Sequence, residues 1–454
     1  MRRTSPHIRI TSLLLWICLG LCSGCFLFKS STHTPQLSQA PPAPAPAPKP
    51  AVHTPDTAEK NIPAAAPFHV AAFAKLIRKP VYHIALFCPL YLDSLQNESS
   101  ANAWLTRFPD YFVPGLEFYE GVQVAIDSLR GMGARLVIKV YDTRSASLPV
   151  TKAVEDSFLQ KADLILGMLS YQELQTLGAF SQQHQINLVS ATLPNDAGIT
   201  ENPFLIIVNS TLTAHANAIL QYVLTNFNNV HLTLWSQPTN DDNTIAQLFL
   251  DAYRRHPQYA VMPLQQIVYD TSWSASRIAS QLHANQNNVC IFTTLNPAAA
   301  LNMAYKLASL TDRYQINMIG MPTWDQINAW FTDSTLYALP VFYSSPFVTS
   351  PQSPAARYLQ QKFMQLYQTR DPSPYAWKGF DIGYRFVWLM LQYGIYFNAR
   401  INDPRANMLI PYQFEPVYKK VTDSIPDYFE NRKIFFMKIY GGKTYPAGSI
   451  NAAD

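Results

Sequence analysis

The sequence predicts an α/β protein with two doubly wound parallel-sheet lobes. Three observations carry that expectation. From Tyr82 onward, near-continuous aliphatic runs alternate with amphipathic segments, the pattern of parallel strands covered on both faces. After about residue 210 the alternation restarts, giving two successive sets. At 454 residues the chain suits two or three domains, and 48% hydrophobic against 14% charged residues supplies a sizeable core.

The N-terminus comes before the alternation. Arg2 and Arg3 precede TSLLLWICLGL, an apolar run too short for a comfortable membrane span, and LCSGC follows. That is the layout of a secretory signal: basic region, apolar region, small residues. Cys25 after Ser-Gly resembles the lipid-modified cysteine of a bacterial lipobox, although Cys22 stands where an aliphatic residue is usual. A plain signal peptide or an uncleaved anchor is the alternative. Residues 1–25 are thus expected to form a lipoprotein signal. Residues 26–80, with PPAPAPAPKP at their centre, read as a disordered Pro/Ala-rich tether, extended at about 3 Å per residue. Cys88 and Cys290, each inside an apolar run, are expected to be buried unpaired thiols.

In the first set, YHIALFCPL reads as a strand and Pro114–Arg130 as a helix whose apolar stripe runs through Leu116, Tyr119, Val122, Ile126 and Leu129. Gly131-Met132-Gly133 follows. A phosphate cradle needs strand, glycine turn, then helix. Here the order is reversed, so one of these glycines is expected as a left-handed helix cap. ARLVIKVYD (strand), LPVTKAVEDSFLQ (helix), ADLILGMLS (strand), YQELQTLGAFSQQHQ (helix), INLVSATLP and PFLIIVNS (strands) complete the set. The second runs TLTAHANAILQYVLTNF (helix), VHLTLWSQ, NDDNTIAQLFLDAYRR (helix), VMPLQQIVYD, SWSASRIASQLHA (helix), NNVCIFTTLN, AAALNMAYKLASLTDRY (helix) and QINMIGMPTW. ALPVFYSSPF is apolar and turn-rich and is expected to cross back to the first lobe. Two helices and one clear late strand, KIFFMKIYGG, follow.

The net charge of +4 and the absence of a clustered basic face give no nucleic-acid signal. No GxSxG, HExxH, Walker loop or metal-spaced cysteines occur in the mature chain, so no enzyme, metal or cofactor is expected. The acidic Asn240–Asn243 stretch lacks calcium-loop spacing and reads as a helix cap. Ligands of such sheets sit beyond the strands' carboxyl ends. This singles out segments such as Pro89–Tyr91, Asp142–Arg144, Leu169–Tyr171, Ser190–Pro194, Trp235–Gln237, Thr293–Asn296 and Pro322–Asp325.

Read together, YEGVQVAIDSLRGMGARLVIKVYDT, ADLILGMLS, INLVSATLP, INMIGMPTW and YAWKGFDIGY resemble, in order, blocks of the type I periplasmic binding proteins. The resemblance is to the branched-chain amino-acid receptors of ABC transporters and covers about Tyr82 to Tyr445. It implies two lobes joined by crossover strands that close on a small ligand. Residues 81–210 and 341–400 are expected in lobe 1, and 211–340 and 401–454 in lobe 2. It also implies that Ser170, Ser190, Ala191 and Thr192 hold a ligand carboxylate; the alternative is that Ser170 and Thr192 only cap helices or turns. Tyr171 replaces the second of a serine pair. Where an acidic residue usually takes the ligand ammonium, this chain has Thr323, and Asp325 stands two positions on. Trp235, Trp324, Tyr91 and Tyr343 are candidate walls, and Thr294 lies at a strand end.

The expected function is an extracytoplasmic solute-binding receptor, in the periplasm and anchored to a membrane through lipid on Cys25. It would take a small polar ligand, amino-acid-like or other, for uptake or sensing with an ABC permease. The alternative is a lipoprotein that uses the same fold to bind an envelope protein such as a cell-wall synthase.

Overall fold

The computed structural model describes residues 70–95, 109–348, 350, 352–367, 371–420 and 424–452, all within one compact unit. The expected signal, Cys25 and most of the expected tether lie outside them. Two seven-stranded sheets are present among these residues. The first runs β11(Phe414–Val417)-β12(Tyr428–Asn431)-β5(Leu205–Ile207)-β4(Asn187–Ser190)-β3(Leu164–Gly167)-β1(Tyr82–Cys88)-β2(Leu136–Asp142). The second runs β14(Lys443–Asn451)-β13(Lys433–Tyr440)-β10(Val341–Ser345)-β9(Ile316–Gly320)-β8(Asn287–Phe292)-β6(Val230–Ser236)-β7(Leu264–Val268). The first five strands of each lobe are parallel and share one order, 2-1-3-4-5. Each sheet therefore reverses direction once, between β1 and β3 or between β6 and β8.

The strands alternate as a sheet covered on both faces must. In β1, Ile84 and Leu86 enter one apolar cluster while Ala85 and Phe87 enter the cluster on the opposite face. The longer helices are α1(Val113–Gly131), α2(Tyr171–His184), α3(Leu212–Asn226), α4(Asn240–Arg255), α5(Pro297–Ala308), α6(Pro354–Tyr367) and α7(Pro374–Tyr393). Buried residues of α3 to α5 join the second-lobe core, and those of α1, α6 and α7 the first. Gly133, at φ 96°, is the left-handed residue after α1, so the Gly-Met-Gly is a helix stop. Cys88 and Cys290 are buried free thiols. No helix among the described residues is long and apolar enough to cross a membrane.

Three passages join the lobes: Val208–Thr211, the chain between β10 and the helix that starts at Pro354, and Arg432 between β12 and β13. The lobe boundaries differ from those expected. Val341–Ser345 pairs with β9 in the second sheet, so the crossing begins only after Ser345. Residues 401–420 and 424–431 belong to the first lobe, because β12 pairs with β5 and Phe414 packs its ring on Phe386 of α7 at 5.7 Å. The helix expected over 148–160 is confined to Val150–Ala153 and a turn at Leu159–Lys161. Asp156 accounts for the break. Its carboxylate accepts from the backbone N–H of Phe158 at 2.9 Å, from Lys139 at 2.6 Å and from the Tyr141 hydroxyl at 3.0 Å, competing with helical bonding.

Candidate ligand-binding cleft

β5 and β10 each lead directly into a crossing, so the carboxyl ends of both sheets converge on the hinge. The hinge is densely bonded. The Ser210 hydroxyl donates to the Asn431 carbonyl at 2.5 Å, and the Thr211 N–H to Glu430 at 2.6 Å. Glu430 also pairs with the buried Arg432 at 3.2 Å. His215 of α3 and Ser344 of β10, both buried, share a 2.9 Å bond. Burial alone pushes the His215 imidazole down to about 3, so it is neutral at ordinary pH.

On the first lobe, Gly167 of β3 registers against Ser190 of β4, which brings the expected hydroxyls to neighbouring strand ends. Ser170 caps α2 reciprocally: its hydroxyl accepts from the Glu173 N–H at 3.5 Å, and its own N–H donates to the Glu173 carboxylate at 2.7 Å. Arg144 reaches the other Glu173 oxygen at 3.1 Å. Tyr171 opens the helix and is 46% exposed. The Ser190 hydroxyl is fully buried and has no partner among the described residues. Ala191, also buried, donates its N–H to the Gly167 carbonyl at 2.8 Å, and the Thr192 carbonyl accepts from Asn209 at 2.5 Å.

The second lobe departs from expectation. Trp235 and Trp324 are wholly buried, and each indole N–H is already bonded within the lobe, so they serve as core there. Trp235 stacks on Phe292 at 5.6 Å and donates its indole N–H to Thr233 at 2.8 Å. Trp324 folds back over Gly320, where a Cβ would lie 2.1 Å from its ring, and donates to the Thr294 carbonyl at 3.0 Å. Thr294 is buried with them, its hydroxyl accepting from the Asn296 N–H at 3.1 Å. An aromatic at a strand end packs inward when a glycine beside it leaves the space.

Asp325, one residue beyond Trp324, is exposed. Desolvation raises its carboxyl, opposed by the charge of Lys378, which stands on α7 of the first lobe. Lys378 is itself pushed down to about 8 by burial, with Asp325 acting against the shift, and its ammonium lies 3.7 Å from the centre of the Phe347 ring. Tyr343, on β10, is pushed up to about 12 by burial and by Asp325. Sequence reasoning passed over Lys378. Its signal was a lone cation in the otherwise uncharged start of a helix.

A cavity of about 190 Å³ lies elsewhere, at the amino-terminal ends of the first sheet, lined in part by Lys79, Asp163, His184 and Tyr396. Asp163 there is already paired with Lys79 and with the His83 N–H. The strand ends, not this cavity, carry the features of a ligand site.

No protein-family model matches the sequence, and no curated protein matches it either. Solved structures do. An ABC transporter substrate-binding protein from Desulfitobacterium hafniense matches at TM-score 0.53 and 13% identity, covering 80% of this chain and 99% of that one. A branched-chain amino acid ABC transporter periplasmic ligand-binding protein from Burkholderia xenovorans matches at TM-score 0.54 and 11% identity, over 82% and 96%. The fold is that of the type I periplasmic binding proteins. An ABC-type branched-chain amino acid transporter protein from Rhodopseudomonas palustris agrees, at TM-score 0.55, 11% identity, and coverage of 82% and 96%. At such identities the likeness is one of fold. Within that fold, this chain has Ser170 and Ser190 near the first-lobe strand ends and buried tryptophans at those of the second lobe.

Proposed function

We propose that this protein is a solute-binding receptor of the cell envelope, whose lobes close on a small polar ligand at the facing strand ends. The carrying observation is the Ser190 hydroxyl, fully buried and without a partner among the described residues, one strand from Ser170. A buried unpaired hydroxyl is costly, and a ligand oxygen or an ordered water repays it. Lys378 and Asp325, on opposite lobes and of opposite charge, would meet the two ends of a ligand carrying both signs. Binding, not catalysis, is the role this arrangement supports. Lipid on Cys25, with the proline-rich tether, would hold the body at a bacterial membrane facing the periplasm. An ABC permease or a sensor would be the downstream partner.

The test is thermal unfolding of the intact protein against amino acids, peptides, nucleobases and sugars. A ligand at a hundred times its Kd stabilises by about 2.7 kcal/mol. The reading expects a hit that weakens with Ser190→Ala, a change that removes an unpaired hydroxyl and leaves the fold intact. A hit indifferent to Ser190→Ala and to Lys378→Met would displace the site. Mass analysis of the mature N-terminus tests Cys25 separately.

One observation favours a second reading. Trp235, Thr294 and Trp324 are packed into the second-lobe core, so fewer groups remain there to hold a solute. A lipoprotein that uses the two-lobed body to bind an envelope protein, such as a cell-wall synthase, fits that economy. Silence across the ligand panel, with capture of such a synthase by cross-linking, would favour it.

A further inference from the structure

The amino-terminal ends of the first sheet form a pole opposite the cleft, and the chain that enters the fold there is strapped down. Phe73 meets Phe204 edge-on at 5.6 Å, and the Ile77 carbonyl accepts the Ile395 N–H at 3.0 Å. Gly394, at φ 77°, permits that close approach, because a Cβ on it would stand 2.3 Å from the Ile77 carbonyl oxygen. The strap is thus a fixed part of lobe 1, although the sequence reads as tether up to residue 80. Its outer face is basic with an apolar tip. Lys75 and Arg78 are exposed, and Leu76 between them is 66% exposed. Arg135, whose carbonyl accepts the Tyr82 N–H at 3.0 Å, and Lys161, two residues before Asp163, are exposed at the same pole. None of these four cations has a carboxylate partner among the described residues. The carboxylates of Asp163 and Asp127 are already offset: the first is 1% exposed and paired with Lys79, and the second pairs with Arg130 at 3.6 Å. Exposed Glu155 and Glu201 leave the balance positive. The cations are scattered along the sequence, so only the fold makes them a face.

We propose that this pole seats the protein on an anionic phospholipid surface. Lys and Arg near such a surface are drawn to its headgroups, and a leucine projecting between them enters the acyl boundary. Two observations choose a membrane over another anionic partner. The first 69 residues, which carry the apolar TSLLLWICLGL run, join the described fold at Val70, on this pole. Leu76 also projects alone between cations, which suits a lipid boundary and offers a nucleic acid nothing. The inference goes beyond the receptor reading and stands without it. β1 spans seven residues, about 20 Å, so a seated pole holds the carboxyl strand ends of the first lobe clear of the headgroups.

The experiment measures co-sedimentation of the full-length protein with vesicles of mixed phosphatidylglycerol and phosphatidylcholine, and with vesicles of phosphatidylcholine alone. Whatever the apolar N-terminal run or an attached lipid contributes is common to both, so the ratio of the two affinities is the readout. That ratio should exceed about tenfold in dilute salt and shrink as ionic strength rises. Lys75→Glu, Arg135→Glu and Lys161→Glu combined should bring it to about one, since each cation near the surface is worth about fivefold. Leu76→Ser should weaken binding to the anionic vesicles and leave its salt dependence as it was. These side chains are exposed, so the unfolding temperature should not move. Arg254→Glu, Arg255→Glu and Arg313→Glu combined change the net charge equally on the second lobe and should leave the ratio near that of the wild type. A wild-type ratio of about one, an undiminished ratio in the first triple variant, or an equal loss in the second overturns the proposal.

Discussion

Gly121 of α1 and Gly379 of α7 let two helix backbones touch. A methyl group on Gly121 would stand 2.1 Å from the Ala376 carbonyl oxygen, and one on Gly379 would stand 2.1 Å from that of Phe118. Neither oxygen belongs to a side chain that could swing away. The contact fixes the start of α7, and with it Lys378, against the first-lobe core.

Gly121→Ala or Gly379→Ala should therefore each destabilise the protein by about 3 kcal/mol, the upper part of the range for overpacking. Gly131→Ala is the control. That glycine ends the same helix with nothing within 4 Å of an added methyl, so alanine should stabilise by about 0.5–1 kcal/mol. Urea unfolding midpoints of the three variants decide the matter; equal effects would remove the close-packing explanation.

His215 should make the fold acid-sensitive. Its pKa is about 3 in the folded protein against an ordinary 6.5, so below pH 6.5 the unfolded chain binds the extra proton. The stabilising contribution is complete above 6.5 and is lost as pH falls towards 3, at about 1.4 kcal/mol per pH unit. His215→Gln keeps a polar partner for Ser344 and removes the titration. The variant's unfolding temperature should gain on the wild type's as pH falls through this window; parallel curves would mean that the imidazole already finds a way to charge.

Nine of the first ten strands were legible because burial in a covered sheet favours aliphatic runs, as YHIALFC and NNVCIF show; β10 was not, because VFYSS sits in a segment that reads as a turn-rich crossing. Strands β11, β12 and β14 were not. FEPV and YFEN are short and half polar, and KTYPAGSIN is an exposed edge containing proline and glycine, which reads as a loop. At the site, Ser170 and Ser190 were legible as strand-end hydroxyls. The inward turn of Trp324 was not, because it depends on the missing side chain of Gly320, four residues earlier. Lys378 was hidden for another reason: its neighbours Asp325 and Phe347 lie 53 and 31 positions away, and only the closed chain path brings them near.

Trp324 as core makes a different prediction from Trp324 as wall. Trp324→Ala should cost about 3–5 kcal/mol through an emptied core and the lost bond to the Thr294 carbonyl. Ligand affinity, measured on the fraction that remains folded, should change little. A variant of ordinary stability with lost affinity would return the indole to the cleft.

Asp381 supplies the opposite pH dependence to His215. It is buried in the first lobe, where its carboxylate accepts the Leu409 N–H at 2.8 Å, and burial raises it to about 6, against the pull of that bond and of Arg385. Between the ordinary carboxylate value of 3.8 and about 6, the folded state holds the proton that the unfolded chain has released. Stability from this group is thus complete below 3.8, falls as pH rises through 6, and is flat above. From about pH 4 to 6 the slope is about 1.4 kcal/mol per unit, equal in size and opposite in sign to that of His215. Wild-type stability should therefore run nearly level across that interval on account of these two groups. Asp381→Asn retains the acceptor for Leu409 and removes the titration, so its stability should rise from pH 4 to 6 with the His215 slope laid bare. A variant whose profile runs parallel to the wild type's there would show that Asp381 is ionised in the fold, with Arg385 as its counter-charge.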